Sequence, residues 1–253
     1  MSVVVSLTTI PPRFAYLSRT VGSLQNQRRK PDRIIIHVPE RYGRFSSFGF
    51  FGNDRLRELE RAVGSGVEIH PMKQDFGPAT KLIGLTFMSD VADDDLILCV
   101  DDDREYDSDL VLRHAEFNSL SPSSVKTEAG WEIEQLSSFS YRKKLLPRGK
   151  EYAAWGYVDC LGGCCGFSLR NRNLDANLRN VPDESFFVDD IFFSAYFARK
   201  GIPIEVLAGG KDQRRTPADR VSPLVGPNTG DRRLKQNEQA VQFFRENWNI
   251  WVD

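Results

Sequence analysis

Three consecutive carboxylates, Asp101-Asp102-Asp103, stand directly after the apolar run Leu96-Ile97-Leu98-Cys99-Val100. Adjacent carboxylates repel one another and cannot be buried without partners. Two of them one residue apart, at the open end of a strand, can share a hard divalent cation. Such a cation keeps several waters and bridges substrate phosphates. The alternative is a solvated acidic turn, and Asp93-Asp94-Asp95 is a second triplet close by. That triplet precedes the apolar run, so it falls at the opposite edge of any sheet. Two other acidic motifs fail on their own requirements. An EF-hand loop beginning at Asp101 needs Gly at its sixth position and Glu at its twelfth, where this chain has Tyr106 and Leu112. An aspartyl-phosphate phosphatase wants a hydroxyl residue where Glu105 stands.

A second candidate is Lys73-Gln74-Asp75-Phe76-Gly77-Pro78-Ala79-Thr80-Lys81. Gly77-Pro78 reads as the entry to a helix over 78–88, whose free N–H groups favour an anion. Asp75 can accept from a base or ribose hydroxyl and Lys81 can reach a phosphate; otherwise Asp75 is a helix cap and Lys81 a solvated cation. Thr8, Thr9 and Arg13 follow the first apolar run and can bind base, ribose or diphosphate.

These residues depend on the elements beneath them. Apolar runs over 3–7, 33–38, 67–70 and 95–100 read as strands. Helical periodicity links them, with Leu17, Val21 and Leu24 over 14–27 and Leu56, Leu59 and Val63 after the cap candidates Asn53 and Asp54. Pro11-Pro12 ends the first strand and Gly64-Ser65-Gly66 the second helix. Repeated β-α units imply a parallel, doubly wound sheet with right-handed crossovers. Ligands of such sheets bind at the carboxyl ends of the strands, so the segments after Leu7, His70 and Val100 are expected to share one crevice. The second half is less regular. Strands are expected at 155–159 and 166–169 around a Gly-rich turn, helices at 184–200 and 237–248, and a long loop over 209–231.

Four ordered segments resemble the GT-A glycosyltransferases, with the flavour of their inverting family 2-like members, over about residues 3–200. They are the opening Ser6-Leu7-Thr8-Thr9 with Ser23-Leu24-Gln25-Asn26-Gln27 and Pro31-Asp32-Arg33-Ile34-Ile35, the Asp-x-Asp of Asp101–Asp103, the loop Gly162-Gly163-Cys164-Cys165-Gly166-Phe167, and Phe187-Val188-Asp189-Asp190-Ile191-Phe192. The resemblance implies one GT-A domain over 1–253, with a nucleotide-sugar half (1–106) and an acceptor half (107–253) that ends in a loop and a helix. It implies that Thr8, Thr9, Arg13, Asp75, Lys81, Asp101 and Asp102 hold the donor, and that Asp103 with Asp101 ligates Mn²⁺ or Mg²⁺. Asp189 or Asp190 would take the acceptor's hydroxyl proton. Adjacent helical positions diverge by about 100°, so only one is expected to face the cleft, and the family pattern favours Asp190. If neither does, the pair simply offsets the helix dipole. Gly162, Gly163, Cys164 and Trp155 would meet the acceptor, with Trp131 and Tyr157 as further stacking candidates.

The implied activity is metal-dependent, inverting transfer from a nucleoside diphosphate sugar, with UDP the expected nucleotide, to a saccharide or other hydroxyl. A sugar nucleotidyltransferase is the enzyme alternative, although Thr8–Arg13 lacks the glycines of its phosphate loop. A catalytically silent carbohydrate- or nucleotide-binding module is the other, and it has no need of a base. Many relatives add a late His to the metal, whereas His37, His70 and His114 all lie in the first half; Asp212 or water is the expected substitute. Between Lys211 and Lys235 seven basic residues face three acidic ones, which suits either a lid over a diphosphate or an exposed loop.

Composition sets outer bounds. The 253 residues carry 34 Lys+Arg against 35 Asp+Glu, a balance that argues against a dedicated nucleic-acid binder. Hydrophobic residues make up 40%, enough for a core. No apolar run nears the ~20 residues of a bilayer span, and the apolar N-terminus lacks the basic flank of a signal peptide. A soluble, cytoplasmic protein is expected. Cys160, Cys164 and Cys165 are poorly spaced for zinc and are read as reduced thiols around a tight loop. Phe186, Phe187, Phe192 and Phe193 are expected in the core, and the Phe-rich stretch 44–52 is expected to fold over it.

Overall fold

The computed structural model describes residues 1–43, 51–133, 156–208, 213–224 and 232–252, and the backbone alone of 141–144 and 230–231. Strands β1 (Val3–Thr8), β2 (Arg33–Pro39), β3 (Glu68–Met72) and β4 (Leu96–Cys99) run parallel. They are followed by β5 (Arg104–Glu105), β6 (Val125–Thr127), β7 (Gly130–Ile133), β8 (Tyr141–Lys144), β9 (Gly156–Val158), β10 (Cys160–Leu161), β11 (Phe167–Arg170), β12 (Ile204–Val206) and β13 (Arg214–Arg215). The main sheet has eight strands in the order β3-β2-β1-β4-β11-β6-β12-β9. Only β11 and β9 run against the rest. Small ladders β10-β7-β8 and β13-β5 lie beside it. This is the mixed α/β, mostly parallel architecture the sequence pattern called for.

The near-continuous apolar runs of β1, β2 and β4, interrupted by the buried Ser6 and His37, follow from a sheet covered on both faces. Alternate residues serve opposite cores. Val3, Val5, Leu7, Ile34, Ile36, Leu96 and Leu98 pack with α1 (Leu17–Gln25), α2 (Asn53–Val63) and α4 (Leu110–Leu120). Val4, Ile35, Ile97 and Cys99 pack with α3 (Thr80–Ile83), α5 (Asp189–Arg199) and α6 (Gly230–Trp248). Pro71 sits inside β3, which is tolerated because β3 is an edge strand.

Several expected boundaries move. The helix expected over 14–27 is a 3-10 segment, Pro11–Tyr16, with prolines in its first turn, leading into α1 (Leu17–Gln25). Asn53 is the first residue of α2 rather than its cap, which is Gly52 and offers no side chain. The helix expected over 78–88 divides into 3-10 turns Gly77–Ala79 and Gly84–Phe87 around the four-residue α3. The second acidic helix begins at Asp189, not at 184, and the terminal helix begins at Gly230. Helix α4 and strands β6, β7 and β12 had no sequence counterpart. The described part of the 209–231 loop holds β13 and a 3-10 turn, Pro217–Arg220. Residues 44–50, Trp155, Lys211 and Asp212 lie outside the described residues, but Phe51 is buried edge-to-face on Phe14.

Candidate functional site

The carboxyl ends of β1 and β4 place Thr8, Thr9 and Asp101–Asp103 on one cleft of about 350 Å³, with Asp189 and Asp190 from the start of α5 also on its wall. Within the acidic triplet the three side chains have different surroundings. Asp102 is turned into the protein, where it accepts from Thr9 Oγ1 at 2.7 Å and Arg13 Nη1 at 2.5 Å. Thr20 Oγ1 donates to its carbonyl at 3.0 Å. Asp101 Oδ1 pairs with Lys81 Nζ at 2.5 Å, and its side chain keeps 29% exposure. Burial works against the Asp101 charge, but Lys81 prevails and holds the carboxyl below its usual range. Asp103 lies 3.3 Å from Arg13 and 3.6 Å from Arg104, yet its Oδ1 is buried without a hydrogen-bond partner. Burial, followed by the charges of Asp101 and Asp102, pushes Asp103 up to about 6.

Lys81 does not reach the cleft. It is 2% exposed and bridges Asp101 to Asp189 Oδ2, 2.9 Å away. The expectation that it meets a phosphate therefore gives way to a buried strut between two carboxylates. Burial opposes its charge, but Asp101, Asp189 and Asp190 together raise its pKa well above the normal lysine value. Asp190 accepts from the Gly163 N–H at 3.1 Å. Burial first, then the charge of Asp189, raises its pKa well above the carboxylate range. Both aspartates line the cleft, contrary to the expectation of one. Asp189 begins the helix with its carboxylate on Lys81, and Asp190 leans instead toward the glycine turn.

Gly163 and Gly162 are beneath the wall rather than on it. A Cβ on Gly163 would fall 2.4 Å from Asp190 Oδ1, and one on Gly162 would fall 2.8 Å from the Trp131 ring. Cys164, next in the turn, does line the cleft. On the β1–β3 side, Thr8 Oγ1 donates to the His37 carbonyl at 2.7 Å. Asp75 accepts from the Gly43 and Gly77 N–H groups at 2.7 and 2.8 Å, so it braces two loops at the rim. The expected anion site at a helix N-terminus is not formed here, because α3 has a single turn. Tyr157 is exposed on edge strand β9, Trp131 is partly buried, and neither lines the cleft.

The sequence reading missed several wall residues. Arg104, which pairs with Asp219 at 3.0 Å, directly follows the triplet and was open to inference from that alone. Tyr42, whose hydroxyl donates to the Thr9 carbonyl at 3.1 Å, carried no signal. Phe186 and Phe187 stand half-buried on the wall as an edge-to-face pair 4.8 Å apart, whereas Phe192 and Phe193 are core as expected. Of the basic run, Arg215 and Arg233 reach the cleft, while Arg214, Arg220, Arg232 and Lys235 are exposed.

Among the described residues no group of three or more His, Cys, Asp or Glu side chains could hold a metal. His37 and His70 pair with each other and His114 with Ser168, all away from the cleft. The donor set available is therefore two carboxylates, Asp101 and Asp103, which suits a hydrated hard cation. The orphaned, buried Asp103 Oδ1 and the added repulsion from Asp101 and Asp102 are what such a cation would relieve.

The sequence matches no protein-family model and no curated protein. The fold does have solved counterparts. It is similar to Staphylococcus aureus TarS 1–349 in complex with UDP, with a TM-score of 0.53 and 14% identity over 85% of this chain and 60% of that one. The TarS 1–349 structure without a named ligand gives a TM-score of 0.52 and 14% identity over 98% of this chain and 74% of that one. The complex with UDP-GlcNAc gives a TM-score of 0.52 and 14% identity over 85% and 58%. The fold is GT-A-like. At 60% and 58%, this chain spans less than two thirds of TarS 1–349 in both complexes.

Proposed function

We propose that this chain is a glycosyltransferase that moves a sugar from a nucleoside diphosphate donor, a UDP-sugar, to a saccharide or other hydroxyl acceptor with inversion. The reading rests on one juxtaposition: a pair of carboxylates suited to a diphosphate-bound cation, Asp101 and Asp103, shares a cleft with a further carboxylate of raised proton affinity, Asp190. The complexes of TarS with UDP and UDP-GlcNAc support the choice of donor.

Asp101 and Asp103 would hold Mn²⁺ or Mg²⁺, whose chemistry is neutralisation of the departing diphosphate. Arg104, Arg215 and Arg233 add positive charge to the same cleft, and Thr8, Thr9 and Tyr42 border the nucleotide end. Asp190 takes the acceptor hydroxyl proton at the carboxylate oxygen left free by the Gly163 N–H. Lys81 neutralises Asp189 beside it and fixes the spacing between donor and acceptor sides. Phe186 and Phe187 offer an apolar face to the sugar.

Thermal unfolding with UDP, GDP, CMP and ADP, each with and without Mn²⁺, tests the donor site. A ligand at one hundred times its Kd adds about 2.7 kcal/mol. A Mn²⁺-dependent rise with UDP that disappears in Asp103→Ala is expected; no rise with any nucleotide overturns the assignment.

A further inference from the structure

Cys164 and Cys165 are adjacent in the chain, both are reduced, and their sulfur atoms stand 3.7 Å apart. They end the 3-10 turn Gly163–Cys165. Cys164 lines the cleft, whereas Cys165 is buried behind it at 3% exposure. The other two thiols are differently placed: Cys99 is sealed in β4, and Cys160 is buried with its thiol on the Leu161 carbonyl. Sugar transfer as proposed takes no sulfur chemistry from any of the four. A solvent-reachable thiol with a second thiol directly at its back is the arrangement of an attacking and a resolving cysteine.

We propose that Cys164–Cys165 is a redox modification site that takes a small-molecule disulfide of the glutathione class and closes to a vicinal disulfide. The Cys164 thiolate attacks one sulfur of the small disulfide, forming a mixed disulfide and expelling the first small thiol. The Cys165 thiolate then attacks Cys164 Sγ, forming the protein S–S bond and expelling the second. Two protein thiols lose two electrons and two protons, and the small disulfide gains both. A trans peptide sets the two Cα atoms about 3.8 Å apart, below the ~4.4 Å at which unstrained bridges begin. Strained disulfides are the labile ones, so the bridge is readily reversed by a dithiol. Closure draws the Cys164 sulfur off the cleft wall. It also twists a turn held by Cys165 N–H on the Gly162 carbonyl at 3.2 Å and Gly166 N–H on the Gly163 carbonyl at 3.0 Å.

The test is independent of sugar transfer. The intact protein is equilibrated with graded ratios of oxidised to reduced glutathione, alkylated, digested with trypsin, and the fragment 151–170 with Cys160, Cys164 and Cys165 is weighed. The expected product has lost two hydrogens and carries alkyl label on Cys160 alone, and dithiothreitol restores three labels. Cys165→Ser is expected to stop at a persistent glutathione adduct on Cys164, and Cys160→Ser to bridge as the parent does. A persistent adduct in the parent, a bridge that needs Cys160, or full alkylation at every ratio overturns the proposal.

Discussion

Lys81 carries more of this site than its type suggests. A lysine 2% exposed with carboxylates at 2.5 and 2.9 Å is retained because the alternative leaves two charges unpaired. Breaking a buried ion pair costs about 3–5 kcal/mol, so Lys81→Met is expected to lower the Tm by roughly 10 °C, measured by thermal unfolding. Asp190 is the residue whose chemistry pH reads. In the proposed reaction its raised carboxyl loses the proton-accepting form as pH falls through that raised value, and transfer is expected to fall with it. Asp189 is the like charge that helps to raise it. Asp189→Asn is therefore expected to move the acidic limb of the pH–rate profile to lower pH. Asp190→Asn is expected to remove about 10²–10⁴ of the rate while leaving the UDP-dependent thermal shift in place. Loss of that shift in Asp190→Asn would make the residue structural instead.

At the scale of elements, the site is set by where strands stop. Strands β1 and β4 pair in register from Val3–Leu96 to Ser6–Cys99, so Thr8–Thr9 and Asp101–Asp102 emerge together and Thr9 can bond Asp102. The short α3 fixes the depth of Lys81 below them, because Ser6 Oγ donates to the Lys81 carbonyl. The chain leaving α3 must pass against β2. At Gly84 a Cβ would lie 2.2 Å from His37 Nδ1, a ring fully buried in the strand. Gly84→Ala is expected to destabilise by about 1–3 kcal/mol through overpacking. The same change made in a His37→Ala background is expected to cost less, which a double-mutant cycle by denaturant unfolding measures.

For the whole molecule, one buried histidine ties the stability of the sheet to pH. His37 is buried between β2 and α3, and burial, then the neighbouring His70 and Arg33, lowers its pKa from 6.5 to about 3. The unfolded chain binds that proton from about 6.5 downward while the folded chain does not. Stability from this group is thus complete above about 6.5 and falls as pH drops toward about 3. His37→Gln is expected to flatten the unfolding free energy across that window, measured by denaturant titration at several pH values; an unchanged slope would place the acid sensitivity elsewhere. The eight-stranded sheet draws β11, β6, β12 and β9 from residues after 107 onto β4. The floor of the cleft therefore combines residues from both halves of the chain.

By itself the sequence determined the parallel β-α half and the edge at which its ligand groups gather. Runs such as Val3-Val4-Val5 and Leu96-Ile97-Leu98 can be buried only in a sheet covered on both faces, and the residues after such strands share one rim. It also marked Asp101, Asp103 and Asp190 by type and position. Tertiary structure alone decided what each carboxylate touches, because charge partners are set in space and not by separation along the chain: Lys81 is 20 residues from Asp101, but Arg13 is 89 from Asp102. Lys81 was expected at a phosphate and instead joins Asp101 to Asp189. Asp102 was expected on the donor; it lines the cleft with its carboxylate held by Arg13 and Thr9. Phe186 and Phe187 were expected in the core and line the cleft, since hydrophobicity says that a ring seeks cover but not which surface supplies it. The strands of the second half were illegible for a related reason. Elements of three or four residues, such as β6 and β12, carry too few positions for a period, and only their pairing partners make them strands.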